Sequence, residues 1–224
     1  LFAAGRPVAG TLAEAYLGGR GLSVPTDTAA LRFHPACFYR ARSARQIWPA
    51  LLAAVTADDG RVTGIQRGYL DPVAARKAPL ADPRRALGNL RGHAVRFHAA
   101  TASTVTEVLV AGEGVETLLA VGSVLPTLPL AACLSASCLA AFVLPRGLRR
   151  LYIACDNDPA GDCAANRLRE RAAASHLEVH LLRPASKDFN DDLLRFGTGA
   201  LAQRLAAQLA PDDAAKFLCR RVVA

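Results

Sequence analysis

Residues 151–161 read LYIACDNDPAG. The first five are apolar, and the chain then runs without a break into two aspartates flanking an asparagine. A short apolar run bounded by turn residues marks a strand buried on both faces. Pro159, Ala160 and Gly161 open an Ala- and Arg-rich helix over 160–174. The pattern of strand, acid and helix recurs to either side. Upstream, 108–111 (VLVA) is a strand that enters Gly112-Glu113-Gly114, and 115–124 is helix-like. A strand at 128–134 and a helix near 136–143 follow. Downstream, 177–182 is a strand leading to Lys187-Asp188, and 191–217 holds two or three helices. Alternating strands and helices predict an α/β domain over 105–197, a parallel sheet of about four strands with helices on both faces. Residues 198–224 are expected as C-terminal helices packing on it.

Residues 1–104 read differently. A short helix at 9–19 closes on Gly18-Gly19, and a Pro- and Arg-rich stretch with Phe33, Phe38 and Tyr39 follows. Strand-like runs at 47–55 and 61–70 flank Asp58-Asp59-Gly60, a hairpin-turn signal. Residues 71–92, with Pro72, Pro79 and Pro83, predict loop, and 98–106 is a small, polar junction. This half is expected to be a smaller basic α+β subdomain. It holds 14 Lys and Arg against 6 Asp and Glu, whereas residues 105–224 hold 13 of each. GC-rich coding explains why Arg outnumbers Lys 24 to 3, but not why the excess sits on one side. A basic half joined to a neutral, acid-containing half suits a polyanion gripped by one and processed by the other.

With 52% hydrophobic and 21% charged residues, the chain can fill a globular core, which excludes wholesale disorder. No apolar run reaches the roughly 18–20 residues of a membrane span, and residues 1–10 lack the pattern of a signal peptide. A cytoplasmic protein without membrane contact is the expectation. The sequence has no Met, even at position 1, so a fragment, a processed product or an alternative start is expected. Cys37, Cys133, Cys138, Cys155, Cys163 and Cys219 form no CxxC pair and read as reduced core residues. The five histidines show no ligand pattern, and Trp48 and Tyr69 read as core.

In open parallel sheets, ligands bind beyond the carboxyl ends of the strands. Three of the four expected strands end in acid: Glu113, then Asp156 and Asp158, then Asp188. Residues i and i+2 of an extended segment point the same way, so Asp156 and Asp158 aim at one space. Mg²⁺ takes oxygen ligands and keeps several waters, so a few convergent carboxylates suffice. Two such ions ~3.5–4 Å apart can clamp a phosphoryl displacement. Gly112 and Gly114 leave room for close approach, and the helix opening at Gly161 offers N–H groups to a phosphate. The bland alternatives are solvated turns, and for Asp188 a helix cap. Glu116 reads as a solvent-facing helix residue.

Over residues 105–195 these motifs resemble the Toprim domain of bacterial primases, topoisomerases and some nucleases, a Rossmann-like fold. Glu113 in VAGEGVET matches that family's strand-end glutamate, Asp156 and Asp158 its DxD, and Asp188 in KDFNDDLL its third acidic motif. The resemblance implies that Glu113, Asp156 and Asp158 are catalytic and that these with Asp188 hold Mg²⁺, with Mn²⁺ as a substitute. Gly114, Gly161 and Lys187 would face phosphate or nucleotide. Replicative primases have an aspartate where Thr117 stands and another where Asn190 stands, so this form looks more like phage and plasmid primases or primase-helicases. Upstream, AEAYLGGRGLSVPTDTAALRFHP is similar to the "YL-xx-RGL … F-x-P" entry of the primase core. ADDGRVTGIQRGYLDPVAARKAP is similar to its "GRV-x-GF-x-GR … PKY" segment. That match implies nucleic-acid contacts for Arg67 and Lys77, with Arg84, Arg85 and Arg91 as weaker candidates. The implied function is a primase-type nucleotidyltransferase acting on single-stranded DNA template with nucleoside triphosphates, in phage, plasmid or mobile-element replication. A helicase or a zinc-binding module in trans is its implied partner. The alternatives are a Toprim nuclease, or a weakly catalytic DNA-binding module of a mobile element.

Overall fold

In the computed structural model, residues 1–23, 29–41, 44–98 and 106–218 are described. After helix α1 (Leu12–Gly19), capped by the Thr11 hydroxyl, the chain forms an antiparallel sheet in the order β1-β2-β3-β4. Its strands are β1 (Leu31–Arg40), β2 (Arg45–Thr56), β3 (Val62–Tyr69) and β4 (Arg84–Gly88). The hairpin between β2 and β3 turns at residues 57–60, where the Asp-Asp-Gly signal predicts it. Two strands carry no strand signal in the sequence, and one of them lies in the stretch predicted as loop. β1 contains Pro35, which cannot donate to a ladder, and the register slips between His34 and Cys37 to accommodate it. β4 falls within 71–92 and is an exposed edge strand, so apolar alternation never marks it.

The second sheet has the order β5-β7-β6-β8-β9. Parallel strands β6 (Val108–Gly112), β7 (Leu130–Ala132), β8 (Arg150–Ala154) and β9 (Glu178–Leu182) are the four that the sequence predicts. The fifth, β5 (Val95–Phe97), pairs antiparallel with β7. Helices α2 (Val115–Val124), α3 (Ala136–Ala140), α4 (Pro159–Ala174), α5 (Phe189–Ala206) and α6 (Pro211–Phe217) complete the chain, with a break in α5 at Gly197.

Alternation along the strands divides two cores. Leu109, Ala111, Leu151 and Ile153 pack with Leu139 of α3 and Ala164 and Leu168 of α4. Val110, Tyr152 and Ala154 face the other way, toward Leu118 of α2 and Phe189 and Leu201 of α5. Leu51 and Ala53 of the small sheet belong to that second core, so both halves of the chain bury apolar surface against one another. At about 1.5–3 kcal/mol per buried leucine, this shared core fixes the small sheet over the larger one. At the amino end of the parallel sheet, Asp213 accepts from Arg150 and from Tyr152 Oη at 2.7 Å each and holds α6 in place.

Among the described residues, no helix is long and apolar enough to cross a membrane. Cys37, Cys133 and Cys155 are buried thiols as expected. Cys138 is half-buried and Cys163 is exposed on α4, so the core reading fails for Cys163; Cys219 lies outside the described residues.

Asn190 explains one departure from the motif. It is fully buried, and its Nδ2 donates to the Arg20 carbonyl at 2.8 Å, tying the end of α1 to α5. A carboxylate there could not donate. Asn190→Asp should therefore lower stability by roughly 2–4 kcal/mol, the cost of an unpaired buried charge facing a carbonyl. Denaturant melts check this; an unchanged midpoint would show that Asn190 ties nothing down.

Candidate acidic site at the carboxyl rim

β6, β8 and β9 end side by side, in register at Gly112↔Ala154 and Ala154↔Leu182. Each strand hands the chain to a segment carrying acid. β6 leads through Glu113 into α2, whose N-terminus is at Gly114. Gly112 has no room for a side chain: a Cβ would lie 2.5 Å from Leu118 and 3.0 Å from the Ala154 carbonyl. Its freedom is spent on packing α2 against β8, not on admitting a phosphate. β8 leads into Asp156-Asn157-Asp158. Asn157 faces away as its position predicts, donating its side-chain amide to the Ser186 carbonyl at 2.8 Å. Its backbone N–H reaches the Lys187 carbonyl, which stitches the DxD turn to the loop before Asp188. Buried Asp192 braces that loop from below, accepting from Ala185 and Ser186 N–H at 2.7 Å each.

Asp158 caps α4, accepting from Gly161 N–H at 2.8 Å, and Asp188 caps α5, accepting from Asp191 N–H at 2.8 Å. The helix-cap reading of Asp188 is thus correct, with one carboxylate oxygen used in the cap. Gly161 N–H is consumed by Asp158, so the expectation that it meets a phosphate does not hold. A Cβ at Gly161 would sit 2.8 Å from the Asp156 carbonyl, which is why this turn needs glycine. Lys187 is exposed beside Asp188. Gly114 is half-buried at the start of α2.

Asp156 feels the charges of the other three acids. Burial, then the charges of Glu113, Asp188 and Asp158, push Asp156 up to about 6, against a weaker pull from the Thr117 hydroxyl. Burial and Asp158 likewise raise Glu113, while Arg84 pulls it down. Asp156 Oδ1 is buried without a hydrogen-bond partner. An unpaired buried carboxylate oxygen surrounded by like charge is a costly arrangement that a cation relieves. Among the described residues no three or more His, Cys, Asp or Glu side chains are grouped closely enough to hold a metal ion by themselves. The set fits a hydrated hard cation, which binds through one or two carboxylates and keeps its waters.

The basic residues are placed differently from expectation. Lys77 Nζ lies 3.3 Å from Glu116 Oε1, and Tyr16 Oη donates to the same oxygen at 2.8 Å. Glu116 is therefore not solvent-facing. Burial favours its protonation, but Lys77, Tyr16 and Arg84 outweigh this and hold its carboxyl below the ordinary range. Arg67 sits on the opposite face of β3 from the rim. Gln66 and Gly68 line the crevice with Lys77 and Glu116, whereas Arg67 and Tyr69 line a cavity behind the sheet. The sequence reads Arg67-Gly68 where the motif has Gly-Arg, and this reversal turns the side chain over. Arg84, directly across from Gly68 on β4, instead supplies the guanidinium on the rim side, where it acts on Glu113 and Glu116. Arg84, a weaker candidate from the sequence, lies in a Pro-rich stretch with no strand pattern to place it.

Residues 108–199 match the Toprim domain family, and residues 1–97 match a domain of unknown function, DUF7146. No curated protein matches the chain. Among solved structures, the chain is similar to a DNA primase domain from Pseudomonas aeruginosa, with 17% identity over 89% of this chain and 72% of that one, TM-score 0.60. It is also similar to the primase fragment of the bacteriophage T7 primase-helicase protein, with 17% identity over 86% and 72%, TM-score 0.57. A DnaG primase catalytic domain bound to ssDNA matches with 16% identity over 91% and 73%, TM-score 0.60. Residues 108–199 thus carry the Toprim match, and the two halves together have the fold seen in primase catalytic domains.

The raised Asp156 carboxyl has a testable consequence. Its folded value of about 6 exceeds the ordinary 3.8, so the folded state binds the proton more tightly than the unfolded chain. Without divalent ion, stability should fall as pH rises through that window, by up to about 3 kcal/mol. Asp156→Asn should be more stable than the parent at pH 8 in EDTA, and the difference should vanish near pH 4. Mg²⁺ should narrow the gap at pH 8. Thermal melts across pH that show no such convergence would contradict the placement.

Proposed function

We propose that this chain is a Mg²⁺-dependent nucleotidyltransferase of primase type, joining nucleoside triphosphates into primers on a single-stranded DNA template. The observation that carries this reading is the unpartnered, buried Asp156 Oδ1 at the rim, on which the charges of Glu113, Asp158 and Asp188 act. Asp156, Asp158 and Asp188 would hold the ion, with Glu113 as a further ligand or as the proton acceptor. When bound, Mg²⁺ or Mn²⁺ supplies positive charge to the triphosphate and its leaving pyrophosphate.

The chain's own groups divide the remaining work. Glu113, held above its ordinary range by burial and Asp158, is suited to accept the proton of an attacking 3′-hydroxyl. Arg84 faces the acids from the small sheet and is placed to bind phosphate oxygens. Exposed Lys187 stands beside Asp188 to do the same. Lys77 acts through Glu116, holding the two halves in one arrangement. The structures with this fold include a primase-helicase fragment and a domain bound to ssDNA. That supports single-stranded template as substrate and a helicase as partner.

The test is an assay with single-stranded DNA, labelled ribonucleotides or deoxyribonucleotides, and Mg²⁺ or Mn²⁺. Primer synthesis is expected. Asp156→Ala should abolish it, and Arg84→Ala should raise the KM for nucleotide by about 10–100-fold, the worth of one charge-assisted contact. Metal-dependent cleavage of the DNA would overturn the reading in favour of a nuclease. Template binding with neither activity, unchanged by Asp156→Ala, would overturn it in favour of a binding module.

A further inference from the structure

We infer that the concave back of the small sheet is a second anion site, which takes the phosphates of single-stranded nucleic acid; the inference rests on the substrate class proposed above. The sheet is curled far enough for its two edge strands to touch. Arg85 of β4 donates to the Arg40 carbonyl at 2.7 Å and to Tyr39 Oη at 3.0 Å on β1. Tyr69 Oη donates to the Phe38 carbonyl at 2.7 Å across the same hollow. The result is a cavity of about 330 Å³ lined by Phe38, Arg40, Arg45, Arg67, Tyr69 and Arg85.

Four arginines line one small space. Among the described residues, the only carboxylate paired with any of them is Asp82, 3.5 Å from Arg85. Arg67 Nε is buried without a hydrogen-bond partner, its guanidinium 5.8 Å from the Tyr69 ring centroid. Clustered cations with an unspent buried donor are relieved by an anion with several oxygens, and phosphate meets arginine's fork geometry. A duplex does not enter a hollow of this size. Phe38, at the mouth, is 58% exposed, with Arg45 5.5 Å from its ring centroid. An exposed aromatic beside a cationic groove is the arrangement on which unpaired bases stack. The site is reached from the face opposite the acidic rim, so a strand held there leaves the rim open.

Free phosphate and nucleoside triphosphates offer the same oxygens, and the test separates these sources. A fluorescent oligonucleotide of about 16 bases is titrated with the full chain in EDTA and followed by anisotropy. Arg40→Ala/Arg45→Ala changes two exposed side chains and leaves the backbone bond to Arg85 intact. It should weaken binding roughly tenfold, and the log–log salt slope should become shallower by about 1.4, ~0.7 for each lost phosphate contact. Phe38→Ala should weaken single-strand binding about five-fold or more without altering the salt slope. Unchanged strand affinity in the arginine double variant would overturn the inference. So would duplex binding equal to single-strand binding, or saturation by inorganic phosphate or triphosphate that leaves strand binding untouched. If priming is absent while the arginine variant loses strand binding, this site stands and the proposed activity falls. If priming is present and the variant binds normally, the reverse holds.

Discussion

Carboxylates brought to one rim repel, and a protein can keep them there only if something other than a cation fixes each one. Here the fixing is done by backbone. Asp158 and Asp188 each spend one oxygen on the N-terminus of the helix that follows, where free N–H groups and the helix dipole favour negative charge. Glu113 is set by the turn between β6 and α2, whose tightness follows from the packing of Gly112 under Leu118. Asp156 alone has no cap and leaves a buried oxygen unpaired. The cost of assembling the site therefore concentrates on one residue, which is where a bound cation returns the most.

The second half of the arrangement is mechanical. Arg84 can act on Glu113 only if the small sheet is held at a fixed position over the parallel sheet. Leu51 and Ala53 in the shared core supply the adhesion, and the contact of Glu116 with Lys77 and Tyr16 supplies the registry. A half-buried ion pair braced by a hydroxyl adds little net stability, but it is sensitive to alignment. Asn190 plays the matching part at the far end, where its amide joins α5 to the end of α1.

How much of this the sequence discloses depends on the range of the forces involved. The parallel strands, α2 and α4 are buried on long apolar faces, and periodicity alone places them within a residue or two. β1 and β4 are held by edges and by a bulge around Pro35, so their own residues carry little signal. Glu113 and the Asp156/Asp158 pair are legible because they follow their strands closely, and Asp188 because it opens a helix. Glu116 was read as exposed because nothing local reveals that Lys77, 39 positions upstream, lies opposite it. The placement of Asp192 was equally hidden, since a third acid after a helix cap looks like a solvated first turn.

Arg67 shows how small a change decides a function-level question. A strand presents successive residues to opposite faces, so exchanging a glycine and an arginine at neighbouring positions moves a charge through the sheet without moving the backbone. With Gly68 on the rim face, the space across the ladder is open to Arg84, and the positive charge opposite Glu113 is retained from a different strand. With Arg67 on the back face, a guanidinium joins Arg40, Arg45 and Arg85 around a hollow that the motif order would have left less basic. One transposition thus leaves the rim with its cation and adds a cation behind it, so a motif's residues transfer between chains only when their parity along the strand transfers too.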